Sequence, residues 1–474
     1  MKIQFWVTRT WLFVLSLAFL GVTEAMAEVK LTDNLAVAGY LRQELAVHTG
    51  EKNPTPGPWT TAERNSLNLS RTFFQTEWMY NPNDTFKVFS KVKMLYDQTA
   101  ALDDKLNDYN AFPLATPRYG GYLRATNDNN IDVEMSELYA DASLGNLWLR
   151  LGKQQIVWGE LIAARILDQI NPLDLSWHLT FEPEEFENIR MAQWALRARY
   201  NVTGVTTSWL DDIYLEGFLN PGDIAPTVTG APGSPFQLAP ASAAPIKDRR
   251  SDMEYGFRLG GRIGQVAGTL NYLNLYSDSG FLESGFTTYP NTELYGISLN
   301  YALPKPFNTT LTYEATYSHD EPYYDSAPGA PRIRLAHTLK QAILFGQSAF
   351  ILPQPISAMS IQFQYSETQI WDHNRLKTTP APLTNGVNNV SADQHVLALI
   401  LSQDLLHNNL NLYFQVVYDL AGAQLIKPGI KVRQGNHWIY DIYGVAIGGS
   451  ETRSSRLGYL SWANEIFGRI TYQF

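Results

Sequence analysis

Along most of the chain, apolar and polar residues alternate with a period of two, the pattern of a strand with two unlike faces. In 35–47, Leu35, Val37, Leu41, Leu45 and Val47 share one face, and Tyr40, Arg42 and Glu44 the other. In 85–96, Phe86, Val88, Val92, Met94 and Tyr96 oppose Lys87, Lys91 and Lys93. Segment 191–200 sets Trp194, Leu196, Ala198 and Tyr200 against Gln193, Arg197 and Arg199. Segment 252–263 sets Tyr255, Phe257, Leu259 and Ile263 against Glu254, Arg258 and Arg262. The same pattern predicts strands over 65–80, 131–143, 147–157, 211–220, 265–277, 291–303, 309–319, 336–346, 357–371, 392–404, 409–420, 423–433, 436–448 and 463–474. That makes eighteen strands. Sixteen is the alternative, because 211–220 and 336–346 alternate least regularly.

The connections alternate as well. Tight turns such as Asn81-Pro82-Asn83-Asp84, Gly145-Asn146, Gly264-Gln265, His407-Asn408 and Gln434-Gly435-Asn436 follow even-numbered strands. Long polar segments follow most odd ones: 48–64, 97–130, 158–190, 221–251, 278–290, 320–335, 372–391 and 449–462. An even strand count with short turns at one end and long loops at the other is the pattern of a bacterial outer-membrane barrel. A soluble sandwich or propeller has no reason to sort its loops this way. The reading is therefore an all-β protein: a transmembrane antiparallel β-barrel. Its last strand ends EIFGRITYQF, with Ile466, Ile470, Tyr472 and Phe474 on one face. The aromatic final residue, with another two before it, resembles the C-terminal signal that barrel-insertion machinery reads.

One segment breaks the pattern. From Glu160 the chain reads ELIAARILDQINPLD, where Ile162, Ala163, Ile166, Leu167 and Ile170 form an apolar stripe at helical spacing. Asn171-Pro172 would end such a helix. A helix of about three turns is marginal alone in water, so its stripe must pack against something. An eighteen-stranded barrel leaves an open aqueous lumen unless something folds into it. A helix-containing third outer loop folded toward the lumen is expected, with Trp158, Glu160, Arg165, Asp168, Asn171 and Asp174 forming a constriction. The alternative is a helix capping the barrel from outside.

Composition adds compartment and partners. Lys2 and Arg9, then the apolar stretch Trp11 to Val22, then Ala25-Met26-Ala27 predict a signal peptide over 1–27, cleaved after Ala27, ahead of a barrel over 28–474. No later apolar run approaches the ~18 to 20 residues of a membrane helix. Charged residues make up 17% of the chain, against ~25% in soluble domains, which suits a surface facing lipid. The net charge of −10 argues against nucleic acid, and with no cysteine the chain has no disulfide. The expected place is the outer membrane of a Gram-negative bacterium, with lipid, the insertion machinery and a small-molecule solute as partners. Monomer and trimer both remain open.

Side chains opposite the apolar faces should line the lumen. Lys87, Lys91, Lys93, Arg150, Arg197, Arg199, Arg258 and Arg262 form its basic set and would favour anions. Lumen acids could instead neutralise them, as Asp141 would Arg150 across the Gly145-Asn146 hairpin. The eight histidines are scattered and none aligns with a nucleophile and an acid, so no catalytic residue is assigned and no enzyme is expected. Asp128, Asn130, Asp132 and Glu134 alternate like a calcium loop, but Val133 stands where glycine is needed and Tyr139 where the last acid is. No metal or cofactor is expected.

The run GKQQIVWGE followed by ARILDQINPLD also resembles a family of uncharacterised proteobacterial outer-membrane proteins known only by a domain-of-unknown-function label. The matching positions are Gly152, Lys153, Gln154, Val157, Trp158, Gly159, Glu160, Leu167, Asp168, Asn171, Pro172 and Asp174. A weaker likeness is to alginate-export barrels. The resemblance implies a porin-like barrel. With no plug domain evident ahead of Leu35, the function expected is passive passage of small polar or anionic organic solutes. Two alternatives stand beside it: a sheath holding a periplasmic or export partner, and an uptake channel for hydrophobic compounds.

Overall fold

The structure, a computed structural model, describes residues 29–51, 66–102, 124–127, 130–175, 178, 186–204, 210–222, 227, 252–283, 286–303, 308–325, 332–351, 357–371, 373, 391–449 and 457–474. The expected signal peptide and Asp128 lie outside the described residues.

Eighteen strands close into one barrel. The first nine are β1 (Leu35–His48), β2 (Leu67–Tyr80), β3 (Phe86–Asp97), β4 (Ile131–Leu144), β5 (Leu147–Gln154), β6 (Gln193–Asn201), β7 (Leu210–Asn220), β8 (Glu254–Ile263) and β9 (Val266–Tyr276). The rest are β10 (Asn291–Leu303), β11 (Thr309–Asp325), β12 (Arg332–Ala349), β13 (Met359–Ile370), β14 (Asp393–Leu405), β15 (Leu410–Asp419), β16 (Ala423–Gln434), β17 (Trp438–Gly449) and β18 (Glu465–Gln473). Each pairs antiparallel with its sequence neighbours. β18 returns to β1 in a register running from Tyr40 opposite Gln473 to His48 opposite Glu465. Closure leaves no unpaired edge, the condition for a sheet to cross a bilayer. Both of the least regular segments are barrel strands.

The two-residue turns owe their shape to glycine at the first turn position, Gly145 with φ 62° and Gly264 with φ 59°. That is the conformation a tight hairpin demands and side chains resist. One expectation is corrected: 320–325 and 332–335, expected as loop, are strand. After a bulge between Ser318 and Glu321, pairing resumes from Glu321–Ala336 to Asp325–Arg332. Tyr323 packs with Ala336 and Ile370 and shares a hydrogen bond with Thr338 at 3.0 Å.

Burial is inverted relative to a soluble protein. Leu151, Phe257 and Ile442 are more than 60% exposed, while Arg71, Lys91, Glu314 and Asp441 are buried. Apolar faces therefore look out to lipid and polar faces look into the lumen, as in a membrane barrel. Apolar contacts also occur inside, where loops enter. Trp462 and Ala463, just before β18, pack with Ala46, Leu69, Tyr443, Val445, Ile447 and Phe467.

Candidate functional site: a strap across the lumen

The segment between β5 and β6 turns inward at a glycine. Along β5, Leu147, Leu149 and Leu151 face out and Trp148 and Arg150 face in. Gly152 then adopts φ 137°, and a Cβ there would lie 2.2 Å from the Leu138 carbonyl. This turn brings the next residue inside. Lys153 is fully buried, with Nζ 2.8 Å from Glu134 and donating to the Met135 carbonyl at 3.1 Å. A bulge in β4, where pairing jumps from Lys91–Glu137 to Val92–Met135, places Glu134 on the inner face to receive it.

Asn171 joins the two ends of the segment. Its Oδ1 accepts the Ile156 N–H at 2.8 Å and its Nδ2 donates to the Met191 carbonyl at 2.9 Å. The Met191 N–H donates to Pro172 and the Asp174 N–H to Ile189, at 2.9 and 2.7 Å. Arg190 donates twice to Asp168, at 2.9 and 2.7 Å. Arg165 donates to the Asn171 carbonyl at 2.6 Å.

Between those ends the segment spans the lumen. On one side Trp158 is buried with Ile156 and Ile170 against Ala195, Phe218, Leu273, Leu275 and Leu294. Its indole N–H donates to Glu216 at 2.8 Å, and Arg258 donates to its carbonyl. Farther round, Glu314 of β11 accepts the Glu160 N–H at 2.5 Å and the Leu167 N–H at 3.2 Å. Gln364 of β13 accepts the N–H groups of Ile162 and Ala163 at 3.2 and 3.1 Å. Leu167 fills the notch left by Gly296, where a Cβ would come within 2.3 Å of it.

On the other side, His178 Nε2 lies 2.6 Å from Glu465 of β18. Lys91 of β3 meets Glu187 at 2.6 Å, with Glu137 at 3.3 Å and Glu77 at 3.4 Å. Lys93 donates to the Asn188 carbonyl at 3.0 Å. Partial burial works against the charge on Glu187. The Lys91 ammonium outweighs it, with Lys93 and Arg190 behind, and holds the carboxyl below its ordinary value.

The inward fold is as expected; the helix is not. Residues 160–170 form no helix, because the wall supplies acceptors for their N–H groups in place of the i−4 carbonyls. Among the described residues of this segment, the helical turn is Phe186–Ile189 instead. Of the six expected constriction residues, Trp158, Asp168, Asn171 and Asp174 are buried and act as fasteners. Arg165 is partly buried, and Glu160 is open to the lumen, where its carboxylate accepts from Asn300 at 2.9 Å. Sequence reasoning missed Gln364 and the holding role of Glu314. A signal for Glu314 existed: its register partners, Ser298 and Ala342, offer it no cation.

The basic set divides. Arg150 makes two bonds to Asp141, at 2.7 and 2.9 Å, and Arg197 meets Glu216 at 2.7 Å. Arg262 pairs with Asp211 at 2.7 Å and Asp212 at 3.0 Å. Lys91 and Lys93 are buried under the strap. Lys87 is exposed opposite Asp141. Arg199 bonds Asn201 at 3.1 Å.

Residues 69–341, more than half of the sequence, match a family described as "Protein of unknown function (DUF1302)". The chain belongs to this family. The strap and the glycine that starts it lie within the matched DUF1302 region. No curated protein sequence matches. Among solved structures, OccAB3 of Acinetobacter baumannii is 10% identical, covers 94% of this chain and 100% of its own, and has a TM-score of 0.50. A BenF-like porin from Pseudomonas fluorescens Pf-5 is 10% identical, covers 93% and 97%, and has a TM-score of 0.50. At such identity the likeness is one of fold: this DUF1302 member has the fold of a porin-like barrel.

Proposed function

We propose that this protein is a porin-like channel of the Gram-negative outer membrane, without catalytic activity, passing small polar or anionic organic solutes by diffusion. The observation that carries the reading is the strap over 155–192. It leaves β5, reaches β11 and β13 on one side and β3 and β18 on the other, and returns to β6 across a polar lumen. A segment so placed narrows the path without closing the barrel, and its fasteners keep the narrowing fixed. The pairing of most lumen bases with acids makes the preference for anions modest, since only unpaired charge acts at range in a water-filled pore.

The test is conductance of the refolded protein in a planar bilayer, with the reversal potential under a KCl gradient. Steady openings with modest chloride preference are expected. Absence of openings from demonstrably folded barrel would overturn the channel reading and favour a sheath around a partner.

A further inference from the structure

Below the strap, one arc of the inner wall is rich in arginine. Five arginines, Arg150, Arg197, Arg199, Arg258 and Arg262, come from three strands of the five-strand arc β4–β8 and run from the strap to the short-turn rim. Aromatic rings separate them. The Arg150 guanidinium lies 3.7 Å from the Tyr139 ring centre and 5.0 Å from that of Trp148. Arg197 lies 5.3 Å from Trp148, and Arg199 lies 3.8 Å from Tyr214. Arg258, at the top, is 5.1 Å from Trp158.

The charge balance is uneven along this arc. Arg199, Glu216 and Arg258 stand side by side in register across β6, β7 and β8. The Glu216 carboxylate is already held by Arg197 and by the Trp158 indole. Among the described residues, neither Arg199 nor Arg258 forms an ion pair; Glu216 and Glu160 act on Arg258 only at longer range, and three arginines around the single Glu216 carboxylate leave surplus positive charge. Its members are also reachable: the side chains of Arg150 and Arg197 are each 19% exposed, and Arg199, Trp148 and Tyr214 are half-buried. The Lys91 ammonium, by contrast, is buried and already surrounded by Glu77, Glu137 and Glu187.

We propose that this arc is a saturable binding track for carboxylates carried on a flat, unsaturated body. A guanidinium offers two parallel donors to a carboxylate. Guanidinium planes backed by Trp148 and Tyr214 present their outer faces for stacking, which favours a ring over a saturated body of equal size. The inference rests on the channel reading for its role in passage, but binding itself is measurable without passage.

The experiment is calorimetric titration of the refolded full chain in detergent with phenylacetate, cyclohexylacetate and phenylacetamide, beside blockade of bilayer currents by phenylacetate. Saturable phenylacetate binding is expected, several-fold weaker with cyclohexylacetate and absent with phenylacetamide. Arg199→Gln should weaken it about tenfold, the scale of one charge-assisted hydrogen bond. Arg199 holds no strap contact, and Tyr214→Leu provides a second variant should that one fail to fold. Equal binding of the ring and its saturated counterpart, or binding unchanged in both variants, overturns the proposal. Conductance without such binding removes the track and leaves the channel. Variant-sensitive binding without conductance keeps the track and removes the channel.

Discussion

The Glu314 carboxylate lies 2.5 Å from the backbone nitrogen of Glu160, so one acid of the barrel wall holds the chain beside another. The usual partner of a lumen carboxylate is an arginine or lysine. Here the partners are backbone N–H groups of a segment with no regular secondary structure to satisfy them.

Replacing Glu314 with alanine orphans the N–H groups of Glu160 and Leu167. Each buried donor left unsatisfied costs about 1–3 kcal/mol. The variant should lose about 2 kcal/mol in denaturant unfolding and show a larger, noisier single-channel conductance than the parent. Conductance unchanged in a folded Glu314→Ala barrel would mean that the strap does not limit the path.

At Gly152, alanine meets both an unfavourable φ and the Leu138 carbonyl. Backbone strain of this kind costs about 1–3 kcal/mol, and the steric clash adds to it. Refolding yield of Gly152→Ala should fall steeply, whereas Gly444→Ala, with nothing near the added Cβ, should refold like the parent.

Acid should loosen the far end of the strap. Lys91 holds the Glu187 carboxyl below its ordinary value, so this contact stabilises fully above the usual carboxylate range and is lost as pH falls through the lowered value. The protection factor of the Asp174 amide, which donates to Ile189, should be high above the ordinary carboxylate range and fall as pH drops through the lowered Glu187 value. Lys91→Met should lower that protection at neutral pH and flatten its pH dependence.

Selectivity should follow the arginines at the short-turn rim. Arg262→Gln leaves Asp211 and Asp212 without their partner, so the reversal potential should move toward cations. Asp211→Asn should move it the other way. Matching shifts from both variants would place the selectivity determinant outside this rim.

The barrel was legible in the chain because period-two alternation is local and lipid imposes it on every strand. Strand count, closure at β18 and the short-turn end follow from that pattern together with Gly145 and Gly264. The inward position of 155–192 was legible too, since a segment rich in Ile and Leu cannot lie in water unpartnered. Its conformation was not. The spacing of Ile162, Ile166 and Ile170 satisfies a helix, yet helix formation also depends on where the N–H groups find acceptors. Those acceptors, Glu314 and Gln364, come from strands well over a hundred residues away. Pairing of the lumen charges was likewise a matter of register across strands. Arg150 and Asp141 face each other over a two-residue turn and could be matched from sequence. Lys153 reaches Glu134 only because Gly152 and the β4 bulge turn both residues inward. The sequence by itself determined which face of each strand meets lipid; only the closed barrel decided what spans its interior, because the contacts that fix the strap exist only after the wall has closed around it.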